Sequence, residues 1–165
     1  STPEMATALG NHGLALGPHG RFAEAEECLK EAVAIHERQE GRDGPKVAQG
    51  LHNLALLYRN SQQFDSAEPC YRRCQQIWHK TGQFGLLIMS YKDAAMMFAG
   101  AKKFSRGIEM LDQAGQIIAS MPHQVQVQVT RDMGLDKLRD ELEGYIAKEK
   151  GGGQAASAAG DKKGD

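Results

Sequence analysis

An internal repeat is the feature of this sequence that most limits what it can fold into. Phe22, Phe64 and Phe104 are separated by 42 and 40 residues, and other apolar positions recur with the same two steps. Further sets with these steps are Leu9, Leu51 and Tyr91; Gly13, Ala55 and Ala95; Ala25, Ala67 and Gly107; Leu29, Tyr71 and Leu111; and Ile35, Ile77 and Ile117. A period of this length is typical of proteins that stack copies of one supersecondary unit. The sequence therefore contains three copies of such a unit.

Each copy carries the pattern of two amphipathic helices. In the first copy, apolar residues share a helix face at Leu9, Gly13 and Leu16, and again at Leu29, Ala32 and Ile35. We expect an antiparallel helix pair in each copy, with the apolar face of one pair completed by the next pair. The predicted helices lie near residues 4–17, 21–39, 45–60, 65–81, 84–100 and 104–120.

Local sequence signals mark two of these helix starts. Pro45 follows Gly44 and suits the first position of a helix, where its missing N–H has no intrahelical partner to lose. Asp65 and Glu68 have the spacing of a capping box, which would place Pro69 in the first turn of the next helix.

Two segments of the second copy carry a resemblance to a known family. Residues 51–58 (LHNLALLY) and 64–73 (FDSAEPCYRR) resemble the first and second helices of a tetratricopeptide repeat, in the long-repeat form found in kinesin light chains. Residues 41–48 are similar to the extended turn between such repeats. The resemblance covers roughly residues 5–120. It implies an all-α, right-handed superhelical solenoid of about three helix-turn-helix repeats.

The domain prediction places this helical repeat domain at residues 1–149, with repeats at about 5–40, 47–82 and 87–121. Residues 124–129 alternate Val and Gln, as a strand would, but no second strand is available to pair with them. We therefore expect one capping helix over about 123–149, with an apolar stripe that covers the end of the stack. Residues 150–165 contain too little apolar surface to fold, and we expect a disordered tail there.

Composition argues against several classes of partner. Twenty basic and 21 acidic side chains give a net charge of −1, so no long-range field favours nucleic acid or anionic lipid. No apolar run is long enough to cross a membrane. Cys28, Cys70 and Cys74 are an odd number, which favours a reducing compartment such as the cytoplasm. The chain does not begin with Met, so a location in an organelle, reached after a precursor is processed, is a second prediction.

One cluster could carry metal or thiol chemistry. Cys70 and Cys74 lie one helical turn apart with His79 further along, but a fourth zinc ligand is missing. Cys74 occupies the repeat position of Ala32 and Ala114, which favours packing over catalysis. We therefore expect no catalytic residue, no metal site and no cofactor, and an enzyme or metal protein is the least favoured hypothesis.

The first helix of each pair carries the more informative pattern. Asn11, Asn53 and Asp93 occupy the same repeat position. In the family, the first helices line the concave face, and the resemblance implies that Asn11 and Asn53 hold the backbone of a partner segment there; Asp93 departs from the family's Asn. Helical periodicity adds further candidates for this groove: Leu14, Gln49, His52, Leu56, Arg59, Met89, Lys92 and Met96.

Two functions remain after these exclusions. The first is a scaffold that binds a peptide or helix of a partner protein in the concave groove, without catalysis. The second is a structural subunit of a larger assembly, which would dock through its outer faces and its C-terminal helix. An exposed patch that included Met97, Phe98 and Trp78 would favour the second function.

Overall fold

The chain folds into antiparallel helix pairs stacked in order along the sequence. The structure, a computed structural model, describes residues 2–159, with side chains described as far as residue 150. Its helices are α1 Pro3–Leu16, α2 Phe22–Glu40, α3 Pro45–Asn60, α4 Phe64–Lys80, α5 Phe84–Gly100, α6 Phe104–Ala119, α7 His123–Met133 and α8 Leu135–Ala159, with a 3₁₀ turn at Gly17–His19. The predicted all-α repeat architecture is confirmed, and the first six helices begin and end within two residues of their predicted bounds.

Packing follows the order expected of a solenoid. The helices α1, α3 and α5 each pair with the helix that follows, and each of these pairs packs on the next. The helix α8 packs mainly on α6, and α1, α3 and α5 also contact one another in sequence. The apolar core is continuous from Leu16 to Phe98, with Trp78, Val47 and Ala55 fully buried. Met97, Phe98 and Trp78 are all buried, so the exposed patch considered for them is not present.

The start of α4 differs from the prediction. The helix begins at Phe64, its N-cap is Gln63, and no side chain caps it. Asp65 is fully exposed, and the Glu68 carboxylate instead accepts hydrogen bonds from Arg72 and Arg106. Pro69 consequently lies in the second turn, inside the helix. The predicted capping box is therefore wrong, because a bidentate contact from the next repeat takes the Glu68 carboxylate.

The C-terminal region contains two helices where we predict one. Gly134 adopts a left-handed conformation with φ of 61° and ends α7 before α8 begins. Leu135 and Leu142 of α8 are buried in a second core cluster with residues of α5 and α6. The expected cover on the third repeat is therefore present and consists mainly of α8.

The helix α8 continues to Ala159, ten residues into the segment 150–165 predicted to be a disordered tail. Residues 160–165 of that segment lie outside the described residues, and the tail stays a prediction for them.

Candidate functional site

A small pocket with both polar and apolar lining lies between the first helices of repeats one and two. Its volume is about 220 Å³. It is lined by Ala6, Thr7, Gly10 and Asn11 of α1, by Leu29, Ala32 and His36 of α2, and by Lys46, Gln49, Gly50 and Asn53 of α3. Three of the groove residues predicted from sequence, Asn11, Gln49 and Asn53, are therefore brought together at one place.

Amide groups form the polar wall of this pocket. The Nε2 atom of Gln49 donates a hydrogen bond to Oδ1 of Asn53 at 3.3 Å. This bond uses neither the Nδ2 group of Asn53 nor the Oε1 atom of Gln49. The Asn11 side chain is exposed. An amide offers both a donor and an acceptor, so these groups can donate hydrogen bonds to a polar segment or accept hydrogen bonds from it.

The approach of α3 to α2 beside the pocket depends on Gly50. A Cβ atom added there would lie 2.6 Å from Cγ2 of Val33, closer than van der Waals contact allows. Gly10, on the opposite wall, is different, because a Cβ atom added to it would meet no atom within 4 Å. The pocket therefore has one wall fixed by close packing and one wall with open space in front of it.

A second group of predicted residues forms a charged cluster between α3 and α5. Asp93 accepts a hydrogen bond from Nη1 of Arg59 at 3.0 Å and lies 3.1 Å from Nε2 of His52. His52 is only 2% exposed, and its ring packs edge-on against Tyr71 and Trp78. These contacts join repeat two to repeat three within the row of odd-numbered helices.

The environment of Asp93 keeps it charged. Burial acts to raise the pKa of this carboxyl, but the hydrogen bond from His52 and the charges of His52 and Arg59 outweigh burial, so the pKa is lowered. Asp93 and Arg59 thus neutralise each other within the protein. At this position Asp93 is held by neighbours in its own chain, in contrast to the exposed Asn11.

The remaining predicted groove residues lie apart from these two clusters. Leu56, Met89 and Lys92 are partly exposed on α3 and α5, and Met96 is 42% exposed. Leu14 on α1 is 44% exposed. Sequence reasoning missed His36 and Lys46 as pocket residues. A signal for His36 was available, because it follows Ala32 by four residues and so shares the face that packs inward.

The cysteine cluster does not have the character of a reactive site. Burial raises the pKa of Cys70 and, more strongly, that of Cys74, whereas a nucleophilic or metal-binding thiol needs a lowered pKa. All three cysteines are free. Within residues 2–159, no three His, Cys, Asp or Glu side chains are grouped as a metal would require. No helix in the same range has both the length and the apolar character of a membrane span.

Comparison with known proteins supports the resemblance found in the sequence. The tetratricopeptide repeat model matches residues 4–80. The crystal structure of nearly identical TPR-like repeats from a candidate kinesin light chain of Podosopora anserina is 18% identical, with a TM-score of 0.63 over 90% of this chain and 74% of that chain. The crystal structure of BtubC (BKLC) from P. vanneervenii is 15% identical, with a TM-score of 0.65 over 100% of this chain and 68% of that chain.

No curated protein matches the sequence. The family match and the shared fold nevertheless agree with the repeat spacing, the stacked helix pairs and the order of packing. The tetratricopeptide repeat model thus matches residues 4–80, and over the whole chain the fold is similar to that of these solved repeat structures.

Proposed function

We propose that this chain is a non-catalytic scaffold that holds a segment of a partner protein along α1, α3 and α5. Tetratricopeptide repeats generally serve as scaffolds for protein–protein interaction. The observation that carries the more specific proposal is the convergence of Asn11, Gln49 and Asn53 on one pocket between α1 and α3. Amide side chains in a groove can bind the backbone of an extended peptide independently of its sequence.

The two halves of the groove make different contributions to this proposal. Toward the N-terminus, the amide groups around Asn53 provide hydrogen bonds. Toward the C-terminus, Arg59 is already paired with Asp93, so its charge is less available to an acidic partner residue. Met96 and Leu56 add flexible apolar surface there, and Met adapts well to different partner side chains. The partner segment is therefore held mainly by its backbone at one end and by apolar contacts at the other.

The proposal is tested by selecting binders from a phage-displayed library of random peptides and measuring their affinity by calorimetry. Removing the Asn53 side chain should weaken selected peptides by about 1–3 kcal/mol, or roughly 5- to 150-fold, because a buried hydrogen-bonding group loses its partner. Asn60→Ala is the matched control, since Asn60 is an exposed residue at the end of the same helix. Equal affinities for the two variants would contradict the proposal.

A specific observation favours the structural-subunit alternative. None of the residues of α7 is buried, and Val125 and Val127 are 42% and 46% exposed. A permanent partner that covered α7 would remove this apolar surface from water. If that alternative holds, the library yields no groove binder whose affinity depends on Asn53.

A further inference from the structure

Residues 124–130 carry the pattern of a β-strand, although they lie within the helix α7. Their sequence, QVQVQVT, alternates Gln and Val and contains no charged residue, Gly or Pro. A short uncharged segment that is rich in β-branched residues has the composition of strands that pair between identical chains. The local preference of this segment and its conformation in the structure therefore disagree.

The helical conformation gains little from the three valines of the segment. Val125 and Val129 lie four residues apart and share a face of α7, whereas Val127 lies on a different face. Val125 and Val127 are 42% and 46% exposed, and Val129 is only partly buried. In an extended strand, by contrast, the three valines would lie on one face and the three glutamines on the other. The strand is thus the conformation that brings the valines together into one apolar surface.

Few interactions hold α7 in the helical form. Among the α-helices in the described part of the chain, it alone has no buried residue. It has 11 residues, and isolated helices shorter than about 12–15 residues are marginally stable in water. No side chain caps its N-terminus. Its main polar anchor is Gln126, whose Nε2 atom donates hydrogen bonds to the carbonyl oxygens of Ala119 and Met121.

The segment can leave this position while the repeats stay folded. Leu135 and Leu142 anchor α8 on the second core cluster, and Gly134, in a left-handed conformation, separates α8 from α7. The 11 residues of α7 span about 16 Å as a helix and about 36 Å when extended. A seven-residue strand, about 23 Å long, therefore fits between ends that do not move.

We propose that residues 124–130 pair as β-strands with the same segment of further copies of this chain. An antiparallel pair centred on Val127 places Val125 opposite Val129 and sets Gln opposite Gln, so that like side chains meet across the strands. The glutamine amides can hydrogen-bond one another in this arrangement. Two strands alone are marginally stable, so we expect assemblies of three or more copies rather than a dimer.

Labelled valine carbonyls report on this segment in the unmodified chain. The chain contains five valines, of which three lie in the segment and two, Val33 and Val47, are buried in α2 and α3. The full chain, with ¹³C at these carbonyls, is incubated at neutral pH below its thermal unfolding midpoint and followed by sedimentation velocity and infrared spectroscopy. We expect concentration-dependent assemblies larger than a dimer. The signal of three of the five labelled carbonyls should move to the intermolecular β-sheet band, while that of Val33 and Val47 stays helical.

Three variants decide whether the segment itself drives assembly. Val127→Lys changes an exposed position of α7 but places like charges opposite each other in the strand pair, so it should slow assembly at least about fivefold. Gln116→Lys makes the same change of net charge at an exposed position of α6 and should assemble like the unmodified chain. Val127→Ile keeps a β-branched side chain and should assemble at least as fast as the unmodified chain.

Three results would overturn the inference: no assembly larger than a dimer, assembly in which all labelled valine carbonyls keep the helical band, or equal rates for Val127→Lys and Gln116→Lys. None of these variants changes a residue of α1, α3 or α5. The inference is therefore independent of the proposed groove, and each can fail without the other.

Discussion

Asp93 contacts residues of its own protein, although its repeat position predicts a residue that binds a partner. It occupies the repeat position of Asn11 and Asn53, yet it is paired with Arg59 and His52. A carboxylate between two donors on a neighbouring helix binds its own protein more strongly than an amide would, because charge-assisted hydrogen bonds are stronger. The substitution of Asp for Asn therefore changes a potential partner-binding residue into a contact between repeats.

This role of Asp93 predicts a pH-dependent loss of stability. Because its pKa is lowered from 3.8 in the folded chain, the stabilisation is present above pH 3.8 and is lost as the pH falls toward the lower folded pKa. Asp93→Asn should lower the free energy of unfolding by about 1–3 kcal/mol at pH 7, less than a fully buried pair because Asp93 is partly exposed. Urea unfolding at several pH values should show the difference narrowing below pH 3.8.

Asp140→Asn provides the control for that experiment, since Asp140 is exposed on α8. The free energy of unfolding of the Asp140→Asn variant should equal that of the unmodified protein at each pH measured. A gap between Asp93→Asn and the unmodified protein that stays constant down to pH 3 would mean that the charge of Asp93 is not the source of the stabilisation.

The same contacts show which residues of the site could be predicted from sequence. Asn11 and Asn53 were identifiable because they occupy the same position in successive repeats and match the Asn of the family that the sequence resembles. The pairing of Arg59 with Asp93 spans 34 residues, and that of Arg106 with Glu68 spans 38. No local pattern encodes such pairs, because they depend on how one repeat is rotated against the next.

At the scale of elements, the turns between paired helices keep the same backbone conformation in each repeat, even where the residue type changes. Gly20, Gln62 and Lys102 are separated by the repeat steps, and all three have positive φ, at 74°, 60° and 57°. Only Gly20 signals this conformation in the sequence, since non-glycine residues seldom adopt it. The helix bounds were predictable from apolar periodicity, whereas these turn conformations are imposed by the packing of the helices on either side.

The two helices of a pair pack closely where a small residue lies at their contact, and the helix that carries a glycine there differs between pairs. In the first pair the glycine is Gly13 of α1, where an added Cβ would lie 3.0 Å from the Ala25 carbonyl oxygen. In the third pair it is Gly107 of α6, where the Cβ would lie 3.2 Å from the Ala95 carbonyl oxygen. Ala occupies both positions in the second pair, at Ala55 and Ala67. Each pair therefore has only Gly and Ala at this contact, in a different combination.

Two alanine substitutions in α1 should consequently have opposite effects. Gly13→Ala places a methyl group against Cγ of Leu29 at 2.8 Å and should lower the free energy of unfolding by about 1–3 kcal/mol through overpacking. Gly10→Ala meets no atom within 4 Å and should raise it by about 0.5–1 kcal/mol through higher helix propensity. Thermal unfolding of both variants provides the measurement. The packing argument would be wrong if Gly13→Ala were as stable as Gly10→Ala.

On the scale of the whole molecule, the even-numbered helices are joined by arginine–carboxylate contacts. Arg73 of α4 pairs with Glu37 of α2, and Arg106 of α6 pairs with Glu68 of α4. Arg139 of α8 pairs with Asp112 of α6 in the same manner. These partly exposed pairs contribute little stability individually. Their recurrence nevertheless places α8 in the stack as the element that continues it past the third repeat.

The apolar core is divided into two clusters. One cluster extends from α1 to α5, while the second joins α5 and α6 to α8 through Leu135 and Leu142. Each of these two leucines contributes about 1.5–3 kcal/mol when buried. Stability in a stacked repeat protein is approximately a sum of repeat and nearest-neighbour terms, so loss of α8 should affect mainly the repeat that it covers.

A chain that ends at Gly134 tests this local coupling. Without α8, Leu111, Ala114 and Ile118 of α6 lose their cover, and amide hydrogen exchange in α6 and the second half of α5 should accelerate at least tenfold. Exchange in α3 and α4 should change little, because their core cluster contains no residue of α8. A chain that ends at Lys150 keeps both buried leucines and should exchange like the full chain. Equal acceleration in α3 and α6 would instead show that the repeats unfold as one cooperative unit.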